Sequence, residues 1–198
     1  MKSKMFSAGI VLLCSLSSFS ALKAGDKIEQ NGNVNIFTDP TLSNRTIVQT
    51  VQSGRIYAFV SAYSGKCLDI KDHSLNNGGQ LIQWDCTTQT NQKFRAIGTP
   101  AAGFTLATIE SKLCLQVEKE ANENGNLFRQ DLSCDPKKRV FKIVKSSGQT
   151  MKIVRTVNGV DKCLDISGPT PDNNAPIHLW DCHGGVSQDF MVFEQAPK

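Results

Sequence analysis

Cys67-Leu68-Asp69-Ile70, followed downstream by Trp84-Asp85-Cys86, is repeated as Cys163-Leu164-Asp165-Ile166 followed by Trp180-Asp181-Cys182. A weaker copy lies between them as Cys114-Leu115-Gln116-Val117 and Leu132-Ser133-Cys134. Within the three copies the paired cysteines stand 19, 20 and 19 residues apart, and the first cysteines advance by 47 and then 49 residues. A fixed period of that size marks a repeat architecture, in which each unit is too small to bury a core alone and neighbours share one. The copies run over roughly 54–98, 99–146 and 147–195.

The cysteines account for themselves through this repeat. Six of the seven fall in it. Six cysteines allow about 15 connectivities, and the repeat selects the one in which each copy closes its own loop: Cys67–Cys86, Cys114–Cys134 and Cys163–Cys182. Each such loop of about 20 residues is worth roughly 3 kcal/mol by chain entropy. Zinc is the rival use of the thiols, but the chain has no CxxC pair, so neither a metal nor a cofactor is expected.

The seventh cysteine, Cys14, lies in a segment with the marks of a secretory signal, residues 1–24. Lys2 and Lys4 lead, an apolar run covers residues 5–16, and small residues follow at Ser20, Ala21 and Ala24. That run is too short for a membrane span. The mature protein is therefore expected to be secreted or extracellular, at a cell surface or in a periplasm, where disulfides persist. Of 22 basic residues Lys2, Lys4 and Lys23 leave with the signal, so 19 remain against 18 acidic ones. The apparent basicity belongs to the signal, and no basic stripe with interleaved aromatics suggests a nucleic-acid surface.

Helix signals are poor. Short runs rich in Val, Ile, Phe and Leu, such as residues 56–61, 104–109 and 151–156, alternate with Gly, Asn, Asp, Ser and Pro. Such a pattern reads as many short strands joined by tight turns. Turn chemistry recurs before each second cysteine at Asn76-Asn77-Gly78-Gly79, Asn124-Gly125-Asn126 and Asp172-Asn173-Asn174. The segment 25–53 has no copy elsewhere. It is read either as an extension that packs on the domain or meets a protein partner, or as a flexible tail. Asn44-Arg45-Thr46 is an N-glycosylation pattern in a host that glycosylates.

Residues 54–195 resemble the ricin-type B-chain lectins, the Gln-x-Trp repeat family. The resemblance rests on the Cys-Leu-Asp start, the Trp two residues before the second cysteine, the cysteine pair itself, and a closing Gln-x-aromatic. That closing motif is Gln92-Lys93-Phe94 and Gln188-Asp189-Phe190, with Phe where the family usually has Trp, and Arg139-Val140-Phe141 in the degenerate middle copy. It implies an all-β fold, a β-trefoil of about twelve strands with pseudo-threefold symmetry over 54–198. It also implies a carbohydrate-binding function. In such pockets an aromatic ring stacks on the apolar face of a galactose-like sugar, while a carboxylate and an amide bind hydroxyls at its rim.

Carried onto this chain, those roles fall in the first repeat to Asp69, Trp84 and Asn91, with Gln92 supporting from behind. The usual Gln before the aromatic is replaced by Ile82, with Gln83 shifted by one. The third repeat offers Asp165, His178 and Trp180, with Gln188 behind and Ser187 in place of the amide, and so reads as the weaker site. The second repeat has Gln116 and Leu132 at the key positions and reads as structural. The competing roles are core filling for the two tryptophans and turn anchoring for the two aspartates. His73 and His183 read as loop residues without a special role.

The leading expectation is a secreted lectin for galactose or N-acetylgalactosamine-type glycans of cell-surface glycoproteins or glycolipids. The alternatives are the cell-binding subunit of a secreted toxin and a trefoil that binds protein instead of sugar. An enzyme is not expected, since three histidines scattered over loops supply no nucleophile–base constellation.

Overall fold

The computed structural model describes residues 27–30, 33–36, 46–119, 121, 123–134 and 140–195. The signal segment 1–24, Cys14, Asn44, Arg45 and Arg139 lie outside the described residues. Strands β1 (Lys27–Gln30) and β2 (Asn33–Ile36) form an antiparallel hairpin.

The three repeats each contribute four strands. The first holds β3 (Ile56–Ser61), β4 (Cys67–Ile70), β5 (Leu81–Trp84) and β6 (Phe94–Thr99). The second holds β7 (Gly103–Thr108), β8 (Cys114–Val117), β9 (Asn126–Asp131) and β10 (Lys142–Lys145). The third holds β11 (Met151–Val157), β12 (Val160–Ile166), β13 (Ile177–Asp181) and β14 (Phe190–Gln195). The last strand of each repeat pairs with the first of the next, as β6 with β7 and β10 with β11. The pairing of β14 with β3 closes the ring, which removes the open edges that a flat sheet would expose. The middle two strands of each repeat form a hairpin, so three hairpins cap one end of a six-stranded barrel. This is a β-trefoil.

The barrel interior is filled threefold. Phe94, Phe141 and Phe190, the aromatics of the three closing motifs, are all buried, together with Phe59, Phe104 and Phe128. Burying each ring contributes roughly 2–3 kcal/mol. Phe therefore suffices where the family usually has Trp. Residues 46–53 pack on the barrel: Val51 is in the core, Ile47 bridges Phe193, and the Val48 amide donates to the Val192 carbonyl at 2.8 Å.

The turns before the second cysteines lock neighbouring repeats together. Gln83, fully buried on β5, donates to the carbonyls of Thr170 and Asp172 at 2.7 Å each and accepts from the Ser64 hydroxyl at 2.8 Å. Gln130 on β9 does the same to Ser74 and Asn76 at 2.7 and 2.9 Å, with Ser111 as its donor at 2.7 Å. Leu179 holds the matching place on β13, and there the Gly125 amide donates to its carbonyl at 2.9 Å. Each loop thus docks on the next hairpin around the threefold axis. Gln83, shifted by one from the usual Gln position, is a bolt between the first and third repeats.

The disulfides are Cys67–Cys86, Cys114–Cys134 and Cys163–Cys182, each within one repeat.

Candidate functional site

Strand alternation makes the first site. Leu68 and Ile70 point into the core, so Asp69 between them faces the other side of the hairpin. Asp69 lies opposite Ile82 and Cys67 opposite Trp84 in the β4–β5 register. Trp84 is therefore the diagonal neighbour of Asp69 on the same face, within reach of a large side chain. Trp84 is 41% exposed, so it is not a core filler.

A single 3-10 turn, Thr90–Gln92, brings the amides to the carboxylate. Asn91 Nδ2 donates to Asp69 Oδ2 at 2.9 Å and to the Ile70 carbonyl at 3.2 Å. Gln92 Nε2 donates to the same Oδ2 at 2.8 Å and to the Asp85 carbonyl at 2.8 Å, while its Oε1 accepts from the Thr87 amide at 2.7 Å. Oδ2 of Asp69 is thus committed to the support, and Oδ1 lies outside these bonds. Asn91 Oδ1 is buried and has no hydrogen-bond partner. Burial pushes the Asp69 carboxyl up to about 6, against the lowering effect of Gln92, His73 and Asn91; nearby Glu110 adds to the rise. The aspartate is more than a turn anchor: it is a desolvated acceptor held in place.

Asp69, Asn91, Ile82 and Trp84 line a cleft of about 220 Å³. Asp72, His73, Thr87 and Gln89 form its rim. His73 Nδ1 lies 3.1 Å from Glu110 Oε1, so His73, read from sequence as a bystander, belongs to the wall. On the far side, Lys66 Nζ contacts Asp85 Oδ1 at 2.5 Å and Asn173 brackets Asp85 with two further bonds of 2.8 and 2.9 Å. These partners hold the Asp85 carboxyl below its ordinary range and fix the backbone that follows Trp84.

The third repeat builds a matching support from different residues. Gln188, on the 3-10 turn Val186–Gln188, donates to Asp165 Oδ2 at 2.7 Å and to the Asp181 carbonyl at 2.8 Å. The second bond to Oδ2 comes from His183, whose Nε2 lies 3.1 Å away. The Gly185 amide donates to His183 Nδ1 at 2.9 Å, which makes Nδ1 the acceptor and leaves Nε2 to carry the proton. An imidazole N–H thus takes the place held by the Asn91 amide in the first repeat. Reading His183 as a loop residue without a role was wrong; the signal for it was its position directly after the second cysteine, where Thr87 lines the first cleft. Asp165 Oδ1 is buried without a partner. His178, opposite Asp165, stacks on Trp180 with ring centroids 5.0 Å apart and planes 21° from parallel. Burial lowers the His178 pKa, with Asp165 opposing, which disfavours the charged imidazole. Trp180 is 38% exposed.

The second repeat lacks both elements. Gln116 pairs with Arg129, which contacts Glu118 at 3.2 Å. Counting back from the cysteine had put Leu132 at the aromatic position, but the register places Asp131 opposite Cys114. The extra residue in this cysteine loop falls after β9 and leaves Leu132 74% exposed. Among the described residues no group of three or more His, Cys, Asp or Glu could hold a metal ion. Among them, too, no helix is long and apolar enough to cross a membrane.

The sequence matches the family described as ricin-type beta-trefoil lectin domain-like over residues 46–131 and 99–180, which together span more than half of the chain. Among curated protein sequences none matches. Solved structures of similar fold include the designed threefold-symmetric protein ThreeFoil, at 23% identity and a TM-score of 0.66 over 71% of this chain and 99% of that one. The Macrolepiota procera ricin B-like lectin, solved with lactose, matches at 20% identity and 0.60 over 72% and 97% of the two chains. The C-half of the earthworm R-type lectin, solved with GalNAc, matches at 19% and 0.56 over 71% and 99%. At these identities the likeness is one of fold.

Proposed function

The chain belongs to the ricin-type β-trefoil lectin-like family, and from that premise we propose that it is a secreted lectin for galactose or N-acetylgalactosamine-type glycans. Carbohydrate binding follows from the family; the sugar class and the secretion are our reading. The observation that carries it is the pairing, in one cleft, of the braced and desolvated Asp69 carboxylate with the half-exposed Trp84 ring. A carboxylate oxygen accepts from hydroxyls at the rim of a sugar, and the indole covers the C–H face that galactose presents free of hydroxyls. Support for the sugar class comes from the two lectins of the same fold solved with lactose and with GalNAc. Secretion is supported by the signal-like segment 1–24 and by three disulfides, which persist in oxidising compartments.

Two sites of unequal strength follow. The first repeat presents an open cleft, while in the third the free carboxylate oxygen of Asp165 is itself buried. Shallow single sites of this kind bind near millimolar, about −4 kcal/mol, and gain through multivalency on a glycan-dense surface. The test is a glycan array with the oxidised mature protein, followed by titration of the best hit. Terminal galactose or GalNAc glycans are expected among the hits. An array without any glycan bound would overturn the lectin reading and favour a protein-binding trefoil.

A further inference from the structure

The polar atoms at the floor of the first-repeat cleft accept hydrogen bonds and have no hydrogens left to give. Both hydrogens of the Asn91 amide are spent, on Asp69 Oδ2 and the Ile70 carbonyl. Both hydrogens of Gln92 are spent likewise, on Asp69 and Asp85. The Thr87 hydroxyl reaches Gln92 Oε1 at 3.2 Å. What remains for a ligand is Asp69 Oδ1, since Asn91 Oδ1, though unpartnered, is itself buried.

The rim carries the Gln89 amide, which can donate, but its fixed charge is acidic. Asp72 adds a carboxylate, Glu110 lies behind His73, and no lining residue is Lys or Arg. Asp72 and His73 both hold positive φ, 54° and 53°, and at the place of Asp72 the third repeat has Gly168 at 56°. Glycine occupies that conformation without strain, whereas Asp72 keeps a side chain there at a steric cost. The first repeat thus retains a carboxylate at the cleft mouth where its sister repeat has none.

We propose that the first-repeat cleft selects, among galactose-type sugars, those bearing a free primary amine, and that it rejects sugars bearing a carboxylate or sulfate. This rests on the sugar-binding reading and narrows it. An ammonium group carries three donors and no acceptor, which complements the Asp69 acceptor and the carboxylate at the rim. Its bond to Asp69 is charge-assisted and shorter and stronger than that of a hydroxyl. A hydroxyl in the same place donates a single bond and carries no charge to meet the two carboxylates. An anionic substituent meets Asp69 and Asp72 with like charge.

The experiment is calorimetric titration of the oxidised mature protein near pH 7 in low salt, with methyl galactoside, galactosamine and galacturonic acid. Galactosamine is expected to bind about threefold to tenfold tighter than methyl galactoside, and galacturonic acid at least tenfold weaker. The amine preference should shrink in about 0.5 M salt, because the rim carboxylate is exposed and screened. Asp72→Asn should narrow the ratio of galactosamine to methyl galactoside affinity. Methyl galactoside binding without any amine preference, or galacturonic acid binding as well as the neutral sugar, overturns this inference and leaves the lectin reading standing. Binding of none of the three overturns both.

Discussion

Lowering the pH from 7 to 5 should weaken sugar binding about tenfold while the protein stays folded. Ligand hydroxyls need the ionised Asp69 carboxylate as acceptor, and burial raises its pKa from 3.8 to about 6. With that value, about nine-tenths of the protein is ionised at Asp69 near pH 7, half near pH 6 and a tenth near pH 5. Affinity scales with the competent fraction, so the loss is about one decade, or roughly 1.4 kcal/mol. An aspartate at its ordinary pKa would lose almost nothing over that range. The folding linkage runs the other way. Between about pH 4 and 6 the folded protein holds a proton on Asp69 that the unfolded chain has released, so the contribution of this group to stability rises as pH falls. His178 opposes it, because its pKa is lowered and the folded state resists charging it. The contribution of Asp69 must therefore be read as the difference between the parent and Asp69→Asn. Isothermal titration at pH 7, 6 and 5, paired with thermal melts of both proteins, supplies the two curves. Affinity that stays flat to pH 5, or a binding midpoint near pH 4, would refute the assignment of a desolvated acceptor.

Trp84→Ala should weaken binding tenfold or more on the preferred glycan, and Trp180→Ala less, by titration of each folded variant; a larger effect at Trp180 would reverse the ranking of the sites. Gln83→Ala should cost about 2–4 kcal/mol in urea unfolding, because it strips the Thr170 and Asp172 carbonyls of their donor. Gln83→Leu restores the side-chain volume but not the donor, as Leu179 does in the third repeat, so it should still cost most of this, and a Leu variant as stable as the parent would show that the amide bonds are not what matters. Non-reducing peptide mapping should find only the three intrarepeat disulfides, and opening any one by a paired Cys→Ser change should lower stability by about 3 kcal/mol. A bridge between repeats would contradict the closed-loop pairing.

The barrel and the disulfide pairing were legible because both are periodic. The near-constant spacing of a Cys-Leu start and a second cysteine, three times over, leaves one way for the copies to share a core, and the phenylalanines of the closing motifs could be assigned to it from position alone. The clustering of Asp69, Trp84, Asn91 and Gln92 was legible for a related reason: all four lie within one repeat, and the hairpin register and the 3-10 turn carry them together. Leu132 misled because counting from a cysteine assumes equal loops, and the middle loop holds one residue more.

Other features depend on residues far apart in the chain or on which of several side chains wins a bond. Gln83 meets carbonyls 87 and 89 positions away, and His73 meets Glu110 across 37. No local pattern announces such partners. His183 lies near Asp165 in sequence, yet only the folded geometry decides that an imidazole N–H takes the place of an amide there. The sequence by itself therefore determined the architecture, the covalent frame and the residue types gathered at each hairpin. The tertiary structure decided which atoms of those residues remain free for a ligand, since that depends on how every donor is spent once the repeats close on one another.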